Sequence, residues 1–153
     1  MRATLMAIRP SLIGVTIGRV ILAVLSVWIA IVAITNLIDA GCAIGLLPPK
    51  TPFASGNYHM IATQMGALSF PVWLVSVLFA GVIVLESSST VLLVRSAFQR
   101  SAHFEDAAFA CLIVLFGGFV IFDELSGAFA MEATHRDLVV FVSVLYLVVR
   151  TDR

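Results

Sequence analysis

The feature that most constrains the fold is an apolar stretch, residues 70–94, that contains a single acidic residue, Glu86. A helix needs roughly 20 apolar residues to cross the hydrocarbon core of a bilayer, which is about 30 Å thick. The stretch is long enough to do so, and a carboxylate inside such a span is costly and typical of a functional site. Of the 153 residues, 61% are hydrophobic and only 12% are charged, whereas soluble domains contain about 25% charged residues. We therefore expect an integral membrane protein.

Apolar segments recur along the chain at lengths that suit a bilayer. They predict transmembrane helices at about residues 11–38, 70–94, 104–124 and 133–150, within one integral membrane domain over residues 1–153. The fourth span needs the charged turn that contains Arg136, because the apolar residues 138–149 alone are too short. The net charge is zero, so the chain lacks the basic surface that binds nucleic acid.

The distribution of basic residues predicts the orientation. Of the nine Lys and Arg residues, all but Lys50 and Arg136 fall on one side of the predicted spans. The residues on that side are Arg2, Arg9, Arg19, Arg95, Arg100, Arg150 and Arg153. Basic residues collect on the cytoplasmic side, so we expect both termini inside. The fold class predicted is all-α, a four-transmembrane-helix up-down bundle, N-in/C-in, in a bacterial cytoplasmic (inner) membrane.

The first outer loop, residues 39–69, is long for so small a protein and begins with several glycines and prolines. Asn57 is a favoured N-cap residue, and apolar residues then recur at helical spacing over residues 58–68. We expect a short helix here, lying at the outer membrane interface where an amphipathic segment is stable.

Glu86 has a set of expected polar neighbours. Ser89 and Thr90 follow it at i+3 and i+4 and therefore share its helix face. Glu86 precedes Arg95 by about 13 Å of helix, which predicts a position in the inner half of the membrane. Arg19, near the inner boundary on the first helix, is the cation expected to reach it. We predict an intramembrane polar contact formed by these four residues: Glu86, Ser89, Thr90 and Arg19.

This contact has a structural and a functional interpretation. Interhelical hydrogen bonds from a glutamate hold helices together in lipid. Alternatively, Glu86 serves a proton or ion relay, or contacts a ligand or a partner subunit. The outer half of its span offers only Ser76 as a polar group, so we do not expect a complete relay within one protomer.

A second group of polar residues is predicted on the outer face. Its members are His59, Asp123, Glu124, Glu132, His135 and Arg136. Glu132 and His135 have the E-x-x-H spacing that places two metal ligands on one helix face, so a metal site is one interpretation. A solvated acidic rim in which Arg136 pairs with Asp123, Glu124 or Glu132 is the other. No histidine lies within the apolar part of a span, and no nucleotide-binding or nucleophile motif occurs. We therefore expect no cofactor, no bound metal and no enzymatic activity.

The order of these features resembles an uncharacterised bacterial family of predicted small integral membrane proteins with four spans. The matching residues are Asn36, Leu37 and Asp39 at the end of the first helix, then Glu86, Glu124 and Arg136. The resemblance covers roughly residues 30–150 and implies fold and topology, because no activity is established for that family.

Three functions are consistent with the sequence. The first is a non-catalytic accessory or scaffold subunit of a larger membrane complex, in which Glu86 is satisfied across an interface. Its partners would be the lipid bilayer and other membrane subunits or further copies of the chain. The second is a small ion or solute transporter or channel that uses Glu86. The third is an outer-face metal-binding or redox-accessory protein.

Overall fold

The computed structural model describes residues 12–99 and 101–152, with side chains from residue 17 onward. All the regular secondary structure in this part of the chain is α-helical, and it contains no strand. Its helices are α1 (Leu12–Ala43), α2 (Asn57–Ala67), α3 (Val72–Gln99), α4 (Ala102–Ser126) and α5 (Phe129–Thr151). Four basic residues used for the predicted orientation, Arg2, Arg9, Arg100 and Arg153, lie outside the described residues. The all-α class is confirmed.

The long helices have the length and composition of membrane spans. In the described residues three segments qualify, Ile17–Ala43, Val72–Gln99 and Ala102–Ser126. These correspond to the first three predicted spans and are compatible with a membrane protein. Helix α5 is not among them, because it carries Glu132, Arg136 and Asp137 near one end and Arg150 near the other.

The bundle core forms where α1, α3, α4 and α5 meet. Helix α1 packs mainly on α3, α3 also on α4, and α4 also on α5. Leu22, Leu93, Leu112 and Val142, one from each helix, are completely buried. Many other valines and leucines face outward, as expected for helices that are apolar on all sides. In lipid, such packing rests on close van der Waals contact rather than on the removal of apolar surface from water.

Helix α2 differs from its prediction at the N-terminus. The N-cap is Gly56, at φ 78°, and no side chain caps the helix from that position. The prediction that Asn57 is the N-cap is therefore wrong, because Gly56 adopts the left-handed conformation that favours glycine. Instead, Asp39 at the end of α1 accepts a hydrogen bond from the Tyr58 N–H at 2.7 Å. This carboxylate from another helix both satisfies a free backbone donor and complements the helix dipole.

Helix α2 is also packed more closely than an interfacial helix needs to be. Ile61 and Met65 are buried and form a small core with Val75 and Phe79 of α3. Both belong to the apolar spacing seen in the sequence. Its location relative to the membrane surface stays a prediction.

Candidate functional site

Glu86 lies on the buried face of α3. Buried residues recur along this helix every three, four or seven residues, at Val75, Phe79, Glu86, Ser89, Leu93 and Ser96. Such a spacing keeps one face of a helix turned toward its neighbours. Glu86 therefore faces the interior for the same geometric reason as the apolar residues around it, and only 2% of its surface is exposed.

The partner of Glu86 is Asn36, on the buried face of α1. The Asn36 side-chain nitrogen donates hydrogen bonds to both carboxyl oxygens of Glu86, at 2.8 Å and 3.0 Å. Asn36 is 1% exposed and continues the buried face of α1 that includes Ile29 and Ala33. The two polar groups therefore satisfy each other inside the bundle, as buried polar groups must.

The hydrogen bonds continue from Asn36 toward the first loop. The side-chain oxygen of Asn36 accepts from the Asn57 side chain at 2.8 Å. The Asn57 backbone N–H donates to the Ser55 hydroxyl at 3.2 Å, and that hydroxyl donates to Asp39 at 3.1 Å. Ser55 is exposed. A hydrogen-bonded chain therefore connects the buried Glu86 to the surface, although the outer half of α3 offers only Ser76 as a polar group.

The predicted contact between Arg19 and Glu86 is wrong. Asn36 occupies that role, and Arg19 precedes it by 17 residues, or about 25 Å of helix. Arg19 is exposed. The depth inferred from Arg95 misled the prediction, because α3 has 28 residues and is about 42 Å long, more than the hydrocarbon core requires.

The hydroxyls near Glu86 serve their own helix. Ser89 donates to the Leu85 carbonyl at 2.7 Å, and Thr90 donates to the Glu86 carbonyl at 2.9 Å. Both are ordinary i−4 bonds of serine and threonine within a helix. Ser89 and Thr90 share the turn of Glu86, as predicted from their spacing, but their hydroxyls do not bond to its carboxyl group.

A partly open cavity of about 230 Å³ adjoins this network. Glu86, Asn36 and Asn57 contribute its polar lining from α3, α1 and α2, and His135 contributes from α5. Apolar side chains of these helices and of α4 form the rest of the wall. The aromatic ones are Trp28, Phe79, Phe116 and Phe119. The structure thus places Glu86 and His135, which the sequence assigned to two separate groups, on one cavity.

His135 contacts Asp123 through one of its two ring nitrogens. Its Nδ1 and an Asp123 carboxyl oxygen are 2.5 Å apart, and Asp123 is 1% exposed. The Phe119 ring stacks on the imidazole with 4.8 Å between centroids. Because Asp123 engages Nδ1, the second ring nitrogen, Nε2, is the one left for another partner. Asp123 is therefore an interior residue, and the expectation that it belongs to a solvated rim is wrong.

The rest of the predicted outer cluster does not assemble. Arg136 pairs with Glu132 at 2.9 Å along one turn of α5, which is one of the pairings expected for it. The side chains of His59 and Glu124 are exposed. Within residues 12–99 and 101–152, no three His, Cys, Asp or Glu side chains come together as a metal site would require.

The opposite end of the bundle holds its own polar contacts. Asp106 of α4 pairs with Arg150 at 3.3 Å and accepts a hydrogen bond from the Tyr146 hydroxyl at 3.0 Å. Asp152 accepts a hydrogen bond from the backbone N–H of Gly18 at 2.9 Å. These contacts connect α5 to α4 and α1 at the end of the bundle that contains the C-terminus of α5. The cavity lies nearer the opposite end, where α5 begins.

Asn36 and the aromatic wall are the site residues that sequence reasoning missed. Asn36 was noted only as part of the family resemblance. A usable signal was present, since Asn36 is an amide in a largely apolar helix and such residues commonly pair across helices. A scan against protein-family models, a search of curated proteins and a search of solved structures each find no match. The resemblance to the family of small integral membrane proteins therefore stays a prediction.

Proposed function

We propose that this protein is a non-catalytic membrane protein that binds a small solute or ion in the cavity beside Glu86 and conducts it across the membrane. The observation that carries the proposal is the junction of an open cavity with a buried carboxyl group that is hydrogen-bonded outward to the first loop. Taken alone, the cavity could be a packing defect, and the hydrogen-bonded carboxyl group could be a contact between helices. Together they provide a binding group, a space for a ligand and a polar connection to the surface.

The open space distinguishes a binding site from a structural contact. Protein interiors are normally packed so closely that few voids exceed a water molecule. Glu86 is one of the residues that line about 230 Å³ of unfilled volume, and transporters and channels place ionisable groups beside such cavities.

The topology that suits this function has four spans with both termini in the cytoplasm of a bacterial inner membrane. Helix α5 has 23 residues, about 35 Å, which is sufficient length for a fourth span. The hydrogen bond from Gly18 to Asp152 supports placing the start of α1 and the end of α5 on one side. Arg150 is on that same side, as the positive-inside rule requires of a cytoplasmic face.

Liposomes containing the purified protein test the proposal. Uptake of labelled choline, succinate and mannitol represents a cation, an anion and a neutral solute. We expect at least one to enter wild-type liposomes faster than protein-free ones, and Glu86→Gln to abolish the difference while the protein still folds. Glu124→Gln is the matched control, because it makes the same change at an exposed position of α4. The proposal is refuted if wild type moves none of the three, or if transport survives Glu86→Gln.

An accessory subunit of a larger membrane complex is the second candidate. An apolar groove of about 500 Å³ runs between α1 and α5 and is lined by residues that include Val24, Trp28 and Phe141. A helix of another subunit would find close van der Waals contact there. Extraction in mild detergent would then recover a stoichiometric partner, whereas a clean monomer would count against this candidate. Asn36 already donates hydrogen bonds to both carboxyl oxygens of Glu86, so this carboxyl group does not need a hydrogen-bond donor from a partner subunit.

A further inference from the structure

We infer that the cavity takes a small organic cation with apolar substituents, such as a quaternary ammonium. This inference rests on the proposed function and specifies its substrate class. It follows from four properties of the cavity: the sign of its charges, its aromatic wall, its shortage of oxygen ligands and its position beside the lipid-facing groove.

The charges around the cavity select against anions. Glu86 is the acidic residue of the lining, and no Lys or Arg contributes to the wall in the described part of the chain. The other ionisable lining group, His135, is backed by the buried carboxyl group of Asp123. An anion would therefore meet the Glu86 carboxyl group and no Lys or Arg, whereas a cation would be attracted to that carboxyl group.

The aromatic wall suits a cation whose charge is spread over carbon-bound hydrogens. Trp28 and Phe116 stack on each other with centroids 6.3 Å apart. Phe119 is fixed against His135, and Phe79 packs edge-on against Tyr58 at 5.5 Å. Aromatic rings that line a cavity attract quaternary ammonium groups through their electron-rich faces.

The same wall is poorly suited to a metal ion. Cations such as Ca²⁺ and Mg²⁺ take about six or more oxygen ligands. The cavity offers the carboxyl oxygens of Glu86 and the amide oxygens of two asparagines, and the oxygen of Asn36 is already bonded to Asn57. Most of the remaining lining is apolar, so an ion that must replace its water shell would lose more than it gains.

Size and access narrow the class further. A cavity of about 150 Å³ holds benzene, and drug-sized ligands occupy pockets of about 300–1,000 Å³, so 230 Å³ suits a small organic ion. Trp28 and Leu138 line both this cavity and the groove between α1 and α5. A single layer of side chains therefore separates the site from the lipid-facing surface, which is a route that favours partly apolar ligands.

Tryptophan fluorescence provides a direct binding test. The chain has two tryptophans, and Trp73 is 65% exposed, so Trp73→Phe leaves Trp28 as the reporter inside the cavity wall. Detergent-solubilised Trp73→Phe protein is titrated with choline and with 3,3-dimethylbutan-1-ol, which has the same shape but a carbon in place of the charged nitrogen. We expect choline to change the fluorescence of Trp28 with an affinity at least tenfold higher than that of the neutral alcohol.

Two variants locate the binding. Glu86→Gln should weaken choline binding by about tenfold or more, because it removes the charge and keeps the shape. Phe116→Leu should weaken it by about three- to thirtyfold, the range of a lost cation–π contact. Phe109→Leu is the matched control, because Phe109 is 1% exposed in the core but does not line the cavity. If Glu86→Gln fails to fold, the two ligands and the two phenylalanine variants still decide the question.

The possible outcomes separate the substrate class from the proposed function. Equal affinity for choline and the alcohol, or equal loss in the two phenylalanine variants, would overturn the organic-cation inference. So would Glu86-dependent uptake of succinate or mannitol without choline, although that result would support the transport function. Choline binding without uptake of any solute would overturn transport and support the ligand class alone.

Discussion

The contact between Asn36 and Glu86 should contribute measurably to the stability of the bundle. The perturbation is a double-mutant cycle made of Asn36→Leu, Glu86→Met and the double variant. Each single change removes one side of the contact and leaves a polar group buried without its partner. The double change replaces the pair with apolar side chains of similar size, so the paired groups are lost together.

The expected coupling follows from the burial of both groups. Interhelical hydrogen bonds in a membrane protein average about 0.6 kcal/mol, with a maximum of about 1.7 kcal/mol. Hydrogen bonds to charged groups contribute about 1.5–3 kcal/mol. Here one amide nitrogen donates to both carboxyl oxygens, at 2.8 Å and 3.0 Å, and both residues are at most 2% exposed. We therefore expect a coupling free energy of about 1.5–3 kcal/mol, above the membrane average.

Reversible unfolding in mixed micelles measures this coupling. The free energy of unfolding is determined for the four proteins of the cycle from the same denaturing-detergent titration. A control cycle combines Asn36→Leu with Ser89→Ala, because the Ser89 hydroxyl donates within its own helix and should couple by less than about 0.5 kcal/mol. If the Asn36–Glu86 cycle gives no more than the control cycle, the pair does not hold α1 to α3 as inferred.

Three further changes test the surroundings of the site. Asp39→Ala should cost about 1 kcal/mol and speed amide hydrogen exchange in the first turn of α2; unchanged exchange there would contradict its capping role. Asp123→Ala should cost about 1–3 kcal/mol by leaving His135 without its partner, and a melting temperature equal to wild type would refute the contact. Gly127→Ala should cost about 1 kcal/mol, because this residue has φ 71°. Gly118→Ala is its control, since no atom lies within 4 Å of the added methyl group, and equal stability of the two variants would contradict the expectation.

The helical architecture could be predicted because hydropathy acts on long stretches of sequence. The predicted spans at about residues 11–38, 70–94 and 104–124 each find a long helix in the structure. The helices extend beyond the apolar residues, as α3 does in reaching Gln99. Backbone hydrogen bonding continues through polar residues at a helix end, whereas the apolar pattern stops where the lipid is expected to stop.

The contacts of the site were harder to predict because they depend on how far one helix is shifted along another. The position of Glu86 on a buried face follows from its spacing. Its partner on α1 depends on how two helices pack, because Asn36 and Glu86 are 50 residues apart in sequence. The sequence prediction paired Glu86 with the cation Arg19, whereas a neutral amide, Asn36, meets the same need. Likewise, the sequence grouped His135 with Asp123 but could not indicate that Asp123 is buried and that His135 lines the cavity.

The geometry of Asn36 explains how Glu86 can be held in place and still bind a ligand. A carboxylate has about four lone-pair sites on its two oxygens. The Asn36 amide uses one site on each oxygen, and Asn57 in turn fixes the orientation of that amide. We expect the remaining sites to accept a group bound in the adjoining cavity. Asn36 therefore acts as a positioning residue, and its removal should weaken ligand binding less than Glu86→Gln does, since the charge remains while its orientation is lost.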